Sequence, residues 1–244
     1  MDTLRQLAGK TPRTHGFTLV EMSVVIVVIA LILGAIVEGQ KLLHNQELNS
    51  VVSDVNHFKQ AIALFKTKYR ALPGDFSDAA NRWPAKTVSG NGDGSWGIGE
   101  TEGLRGWQQL YLSGILPDYN YTGSGWLAIG QNLPQSQINK GTGYQLVGQV
   151  TVFTEGHGNA IQLGQVNNTD FLTDGALSAL DAMLVDTKMD DGKADQGDTY
   201  GVRGQRAGDS QCTSFDSTHA KPVDYVPADT VGLCYMLFWL DSDY

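Results

Sequence analysis

Along the first third of the chain the rhythm of apolar positions changes once, near residue 40. From Phe17 to Val37, FTLVEMSVVIVVIALILGAIV, 21 residues run with a single charge, Glu21. At 1.5 Å rise per residue, such a run predicts a helix able to cross a ~30 Å hydrocarbon core. From Leu48 the apolar residues fall instead at three- and four-residue steps: Leu48, Val51, Val52, Val55, Phe58, Ile62, Phe65 and Tyr69, with Asn49, Asp54, Lys59, Lys66 and Lys68 on the other side. This predicts an amphipathic continuation of the same helix. Pro73 disfavours helical geometry at Leu72 and Gly74 permits a turn, so Ala71-Leu72-Pro73-Gly74-Asp75 is expected to end it. One helix over about residues 17–70 would be roughly 80 Å long, with Gly34 and Gly39 as its weak points.

The pattern then shortens. Trp107 to Leu112 reads as a short helix stopped by Ser113-Gly114, and strands are expected around residues 143–154, 160–163 and 232–240. Helix first, then strands with polar turns, predicts an α+β head whose mainly antiparallel sheet lies on the amphipathic half of the long helix. The expected organisation is a leader at 1–16, an apolar helix at 17–38, its amphipathic continuation at 39–72 and a globular head at 73–244.

Charge adds direction. Residues 1–16 carry Arg5, Lys10 and Arg13 against Asp2, and positive flanks stay on the cytoplasmic side, so the rest of the chain is expected to face outward. Setting those residues aside leaves 14 basic and 25 acidic residues, a formal −11. Such a surface repels phosphate backbones, and no nucleic-acid partner is expected. Within the apolar run, Glu21 is the anomaly. A charge at membrane depth costs roughly 2.5–3.5 kcal/mol, so Glu21 is expected to meet a cation.

Gly16-Phe17-Thr18-Leu19-Val20-Glu21, with basic residues before it and an unbroken apolar helix after it, resembles the class III signal of type IV prepilins and of the pseudopilins of type II secretion. An ordinary secretory signal would place its cleavage site after the apolar region, whereas here the small residue precedes it. The resemblance implies a type IV pilin-like fold, cleavage after Gly16 by a prepilin peptidase, methylation of the new amino terminus on Phe17, and Glu21 as the fifth residue of the mature chain. It further implies a bacterial inner-membrane protein that meets an assembly platform and polymerises with identical or related subunits. The product would be an extracellular pilus, serving adhesion or motility, or a periplasmic pseudopilus. In a filament of stacked apolar helices, the α-amino group of an incoming Phe17 can neutralise Glu21 of a neighbour. Removing one partner of such a buried pair costs on the order of 3–5 kcal/mol, which would enforce axial register.

Tyr69 to Asp75, then Asn91-Gly92-Asp93-Gly94, then Glu102 with Trp107 and Leu110, also resembles a group of larger prepilin-like proteins. Cys212 and Cys234 form an even pair, which in an oxidising compartment is expected to be a disulfide. It would close a loop of about 23 residues and contribute roughly 3 kcal/mol. In the pilins this chain resembles, such a bridge bounds a variable surface region.

No cofactor is firmly implied. Two acidic loops are weighed as calcium sites. Asn91, Asp93, Ser95 and Glu102 stand at positions 1, 3, 5 and 12 of a calcium loop, but Trp96 replaces its sharp-turn glycine. The second loop spans 186–198, with Asp190, Asp191, Asp195 and Asp198 around Gly192 and Gly197. The major pseudopilins that the chain resembles carry calcium in the head, whereas Asp-Gly loops are commonly solvated turns.

Catalytic signatures are thin. His15, His44, His57, His157 and His219 show no metal-ligand spacing, residues 90–94 lack the Lys of a phosphate loop, and Ser113 and Ser124 sit in no nucleophile elbow. The chain is therefore expected to be no enzyme. Tyr119, Tyr121 and Trp126 could stack on sugars or pack on the core. Three readings result: a type IV pilus subunit, a type II secretion pseudopilin, and a membrane-tethered enzyme or glycan-binding domain.

Overall fold

A computed structural model describes residues 16–97, 101–118, 120–148, 151–152, 155–156, 158–167, 171–205, 212–214, 223–226 and 233–240. The leader before Gly16, Tyr119, His157, His219 and parts of the expected 143–154 strand lie outside them. The chain divides into two compact units, Met1–Asn45 and Gln46–Tyr244. Helix α1, Leu19–Tyr69, runs through both and is continuous across Gly34 and Gly39.

In the first unit α1 is apolar all round, and every large apolar side chain from Phe17 to Val37 is exposed. An 18-residue window of the helix reaches a mean hydropathy of 2.9 with none of it buried.

In the second unit the stripe changes character. Leu48, Val51, Val55, Phe58, Ala61, Ile62 and Phe65 are buried, at the three- and four-residue steps of a helix with one packed face. Arg70 ends the helix in the left-handed region at φ 57°, three residues before the proline expected to stop it. A short α2, Ala79–Arg82, and then α3, Glu102–Leu112, follow. Helix α3 begins five residues before its expected start. Its extra turn is built from Gly103 and Gly106, which show no apolar period but allow close packing: a Cβ at Gly103 would lie 2.1 Å from Leu146 O.

The sheet consists of β1 Thr142–Val147, β4 Ala160–Gln165, β5 Leu177–Ser178, β6 Thr199–Arg203 and β7 Leu233–Trp239; β2 Thr151–Val152 and β3 Glu155–Gly156 form a separate two-stranded pair. All pairings are antiparallel. Cys234 pairs with both Leu177 and Arg203, so β7 is central, with β4 and β5 along one edge and β6 along the other. Its run LCYMLFW is buried on both faces, as a central strand requires. Cys234, Met236 and Phe238 join the core under α1, while Tyr235, Leu237 and Trp239 join a second cluster with Val147, Ala160 and Tyr200. Between β5 and β6 lies α4, Ala179–Met189, capped by Ser178, whose hydroxyl accepts from Asp181 N–H at 3.1 Å.

Helix and sheet meet through aromatic edges. Phe58 contacts Trp107 and Tyr144 at centroid distances of 4.8 and 5.1 Å, both T-shaped. The Tyr144 hydroxyl donates to Asp54 Oδ2 at 3.1 Å, while burial raises the Asp54 carboxyl above its ordinary range.

Candidate functional site

The amino-terminal segment is organised by Thr18 and Glu21. Glu21 Oε2 accepts from the Thr18 backbone N–H and from its hydroxyl, each at 2.8 Å, and Glu21 N–H donates to Thr18 Oγ1 at 3.2 Å. This is a reciprocal capping box, with Thr18 just outside the helix and Glu21 three residues in. Sequence reasoning assigned Glu21 to a neighbour's cation and missed this local role, although Thr-x-x-Glu before an apolar run is its written signature. Both roles fit one carboxylate: Oε1 has no partner among the described residues. The capping amide joins Phe17 to Thr18, so scission after Gly16 would leave the box intact and create an ammonium group beside it. Phe17 itself is 78% exposed.

Two carboxylate clusters occur in the second unit. In the first, Asp75, Asp93 and Glu102 bring carboxylate oxygens within 4.8 Å of one another. Asp75, not among the expected ligands, is its centre. Asp75 Oδ1 accepts from Gly92 and Asp93 N–H at 2.6 and 3.1 Å, and Oδ2 from Gly94 N–H at 2.9 Å. Glu102 Oε1 takes Asn91 N–H at 2.9 Å, and Asp93 Oδ1 takes Ser95 N–H at 2.9 Å. Burial raises both Asp75 and Glu102, against these hydrogen bonds. Trp96, which breaks the calcium pattern, is a fully buried core anchor whose indole donates to Pro73 O at 2.6 Å. The residues that resembled larger prepilin-like proteins thus form one closed structure, with Gly74 N–H donating to Gln109 Oε1 at 2.7 Å and Trp107 and Leu110 fully buried.

The second cluster is Asp186, Asp190 and Asp191. Asp186 is fully buried; Oδ2 accepts from the Tyr225 hydroxyl at 2.8 Å and Oδ1 from Gly192 N–H at 3.1 Å. Burial, with Asp190 and Asp191 nearby, pushes its carboxyl up to about 7. Asp190 accepts from the Asp198 and Thr199 amides, and Asp191 from Lys193 N–H at 2.8 Å. In both clusters every carboxylate accepts at least one backbone N–H, the arrangement by which Asp- and Gly-rich loops close on themselves.

A disulfide joins Cys212 to Cys234, with Cα atoms 5.3 Å apart. Residues 212–214 and 223–226 run together through a Thr213–Tyr225 bridge, and Val223 N–H donates to Asp195 Oδ2 at 2.8 Å. The bridged segment is thereby tied to β7 by sulfur and to the second acidic loop by Tyr225 and Val223. Tyr121 is buried in the core, whereas Trp126 is 82% exposed.

Residues 11–37 match the family described as the prokaryotic N-terminal methylation motif. No curated protein and no solved structure matches the chain. The match covers Gly16, Phe17, the capping box and the exposed apolar helix together, and by it the chain carries the amino-terminal signature of type IV prepilin-like proteins, shared by pilins and secretion pseudopilins.

Proposed function

We propose that this chain is a structural subunit of a type IV pilus or closely related filament. It is held in the inner membrane by residues 17–38, cut after Gly16 by a prepilin peptidase, methylated on Phe17, and polymerised through its amino-terminal helix on an inner-membrane assembly platform. It acts by polymerisation, not catalysis, and the finished pilus serves adhesion or motility. The observation that carries this reading is the methylation motif opening onto a helix with no buried apolar side chain before residue 48. A soluble chain would not leave that surface in water, and a filament of like helices covers it. Glu21, with one oxygen on its own cap and the other without a partner among the described residues, supports pairing with the Phe17 ammonium of an adjacent subunit.

Intact mass spectrometry of protein from membranes and from sheared surface material tests the proposal. The expected mass lacks residues 1–16, carries one added methyl and gains two hydrogens on reduction. Retention of the leader overturns it and leaves a membrane-tethered enzyme or glycan-binding domain.

A second reading is a pseudopilin of type II secretion, supported by the acidic head with its two carboxylate clusters. Recovery of the processed chain only from the periplasm selects it over a pilus. Calcium belongs to the same test. Backbone amides engage one oxygen each of Asp93, Glu102, Asp190 and Asp191, so calcium would use the remaining oxygens, and titration of the full chain with calcium, followed by chelation, reads this as heat and as a change in Tm. A calcium-dependent rise in Tm would assign the metal.

A further inference from the structure

Between α3, residues 85–88 and residues 122–124 lies an open groove of about 370 Å³. Its ionisable lining residues are both cations, Lys86 and Arg105, on a mature chain of formal charge −11. Both are undercommitted. Lys86 Nζ has no partner among the described residues, and the Arg105 guanidinium makes one long bond, 3.5 Å to Ser89 O. Glu102, one turn back on α3, feels the Arg105 charge but lies outside the lining and is engaged by Asn91. Around the cations stand neutral polar groups, Thr87, Thr101, Gln108 and Ser124.

Trp126 lies outside the lining, two residues along the chain from Ser124, and is 82% exposed. Buried Asn132 donates to Ser124 O at 3.2 Å and to Trp126 O at 2.8 Å, while its Oδ1 accepts from Ala128 N–H at 2.8 Å. These bonds tie the backbone on both sides of Trp126 to Asn132.

We propose that this groove binds the carboxylated sugars of an acidic polysaccharide, with Lys86 and Arg105 on the hexuronate carboxylate, the hydroxyl and amide groups on the ring hydroxyls, and Trp126 offering a face to the next sugar. Two cations, neutral hydrogen-bonding groups and one exposed aromatic match the three surfaces of a uronate: anionic, hydroxylated and apolar. The acidic remainder of the chain repels polyanions in general, so binding rests on the two local cations and the neutral groups beside them. The site is independent of which filament the chain builds.

Calorimetry with the full chain in detergent micelles tests this, using tetragalacturonate as probe, its fully methyl-esterified form and tetraglutamate as controls. Saturable binding of tetragalacturonate alone is expected. Lys86→Gln with Arg105→Gln should weaken it at least about tenfold, and Trp126→Ala several-fold. Lys86 is exposed, so Lys86→Gln alone, with an unchanged melting curve, keeps the test valid if the Arg105 variant misfolds. Absence of saturable heat, equal binding of tetraglutamate or of the ester, or indifference to Lys86→Gln would each overturn the proposal.

Discussion

Asp186 shows how one residue sets a pH response. Its carboxyl stands at about 7 in the fold because burial penalises the anion, and returns to about 4 when unfolded. Between those values the folded chain holds a proton that the unfolded chain has lost, so stability falls as pH rises from about 4 to about 7 and is level above. Asp186→Asn removes the titration while keeping the partners: its Oδ1 can accept from Gly192 N–H, and its Nδ2 can donate to a Tyr225 hydroxyl turned to accept. Urea midpoints should coincide near pH 4 for the two proteins and favour the Asn variant at pH 8; parallel curves would contradict this. None of it was legible in the sequence. Asp186 was read as the edge of an acidic turn because its partner, Tyr225, is 39 residues away. Asp75 was passed over for the same reason, since it meets Gly92 and Gly94 only through tertiary folding. Glu21 was the reverse case: its meaning lies in four consecutive residues.

At the scale of elements, legibility follows periodicity. Helix α1 and strands β4 and β7 declare themselves by apolar spacing or by an apolar run, and the structure places them within a few residues of their expected bounds. Strand β1 starts as expected but ends at Val147, seven residues short, and Thr151–Val152 instead pairs with Glu155–Gly156 in a separate sheet. Helix α4 and strand β6 do not, because α4 mixes Ala182 and Val185 with a buried carboxylate and β6 is TYGVR. The first turn of α3 was hidden for another reason. Glycines read as helix-breaking, yet here they let the helix backbone approach β1. Gly103→Ala would drive a Cβ to 2.1 Å from Leu146 O, a backbone atom that cannot swing aside. The expected loss is about 1–3 kcal/mol in denaturant unfolding, with α3 pushed off the sheet. Gly158, where an added Cβ meets nothing within 4 Å, is the control, and Gly158→Ala should leave the midpoint unchanged. Equal behaviour of the two would contradict the close packing of α3 on β1.

For the whole molecule, the two compact units separate two requirements. Unit Gln46–Tyr244 holds the packed core and the Cys212–Cys234 bridge, and unit Met1–Asn45 holds Glu21 and the exposed apolar helix. Stability and assembly should then be lost independently. Cys212 is held by sulfur to the central strand, and the bridge closes a loop across 22 positions, so replacing both cysteines with Ser should cost roughly 3 kcal/mol. Tyr225, whose hydroxyl reaches buried Asp186, would lose part of its tether at the same time. Amino-terminal processing and filament formation at permissive temperature should persist, because neither Gly16 nor Glu21 depends on that bridge. Glu21→Ala should do the opposite. It removes a cap worth about 1 kcal/mol from one end of a 51-residue helix and leaves every core contact in place, so the unfolding transition should stay unchanged. Filament yield should collapse, because an incoming Phe17 ammonium would enter an apolar bundle with no counter-charge. Assaying both variants for thermal unfolding and for sheared filament yield gives a crossed pattern if the carboxylate serves assembly. If Glu21→Ala lowers the melting temperature as far as loss of the disulfide does, or leaves filament yield intact, Glu21 is only a helix cap and register must come from the apolar side chains themselves.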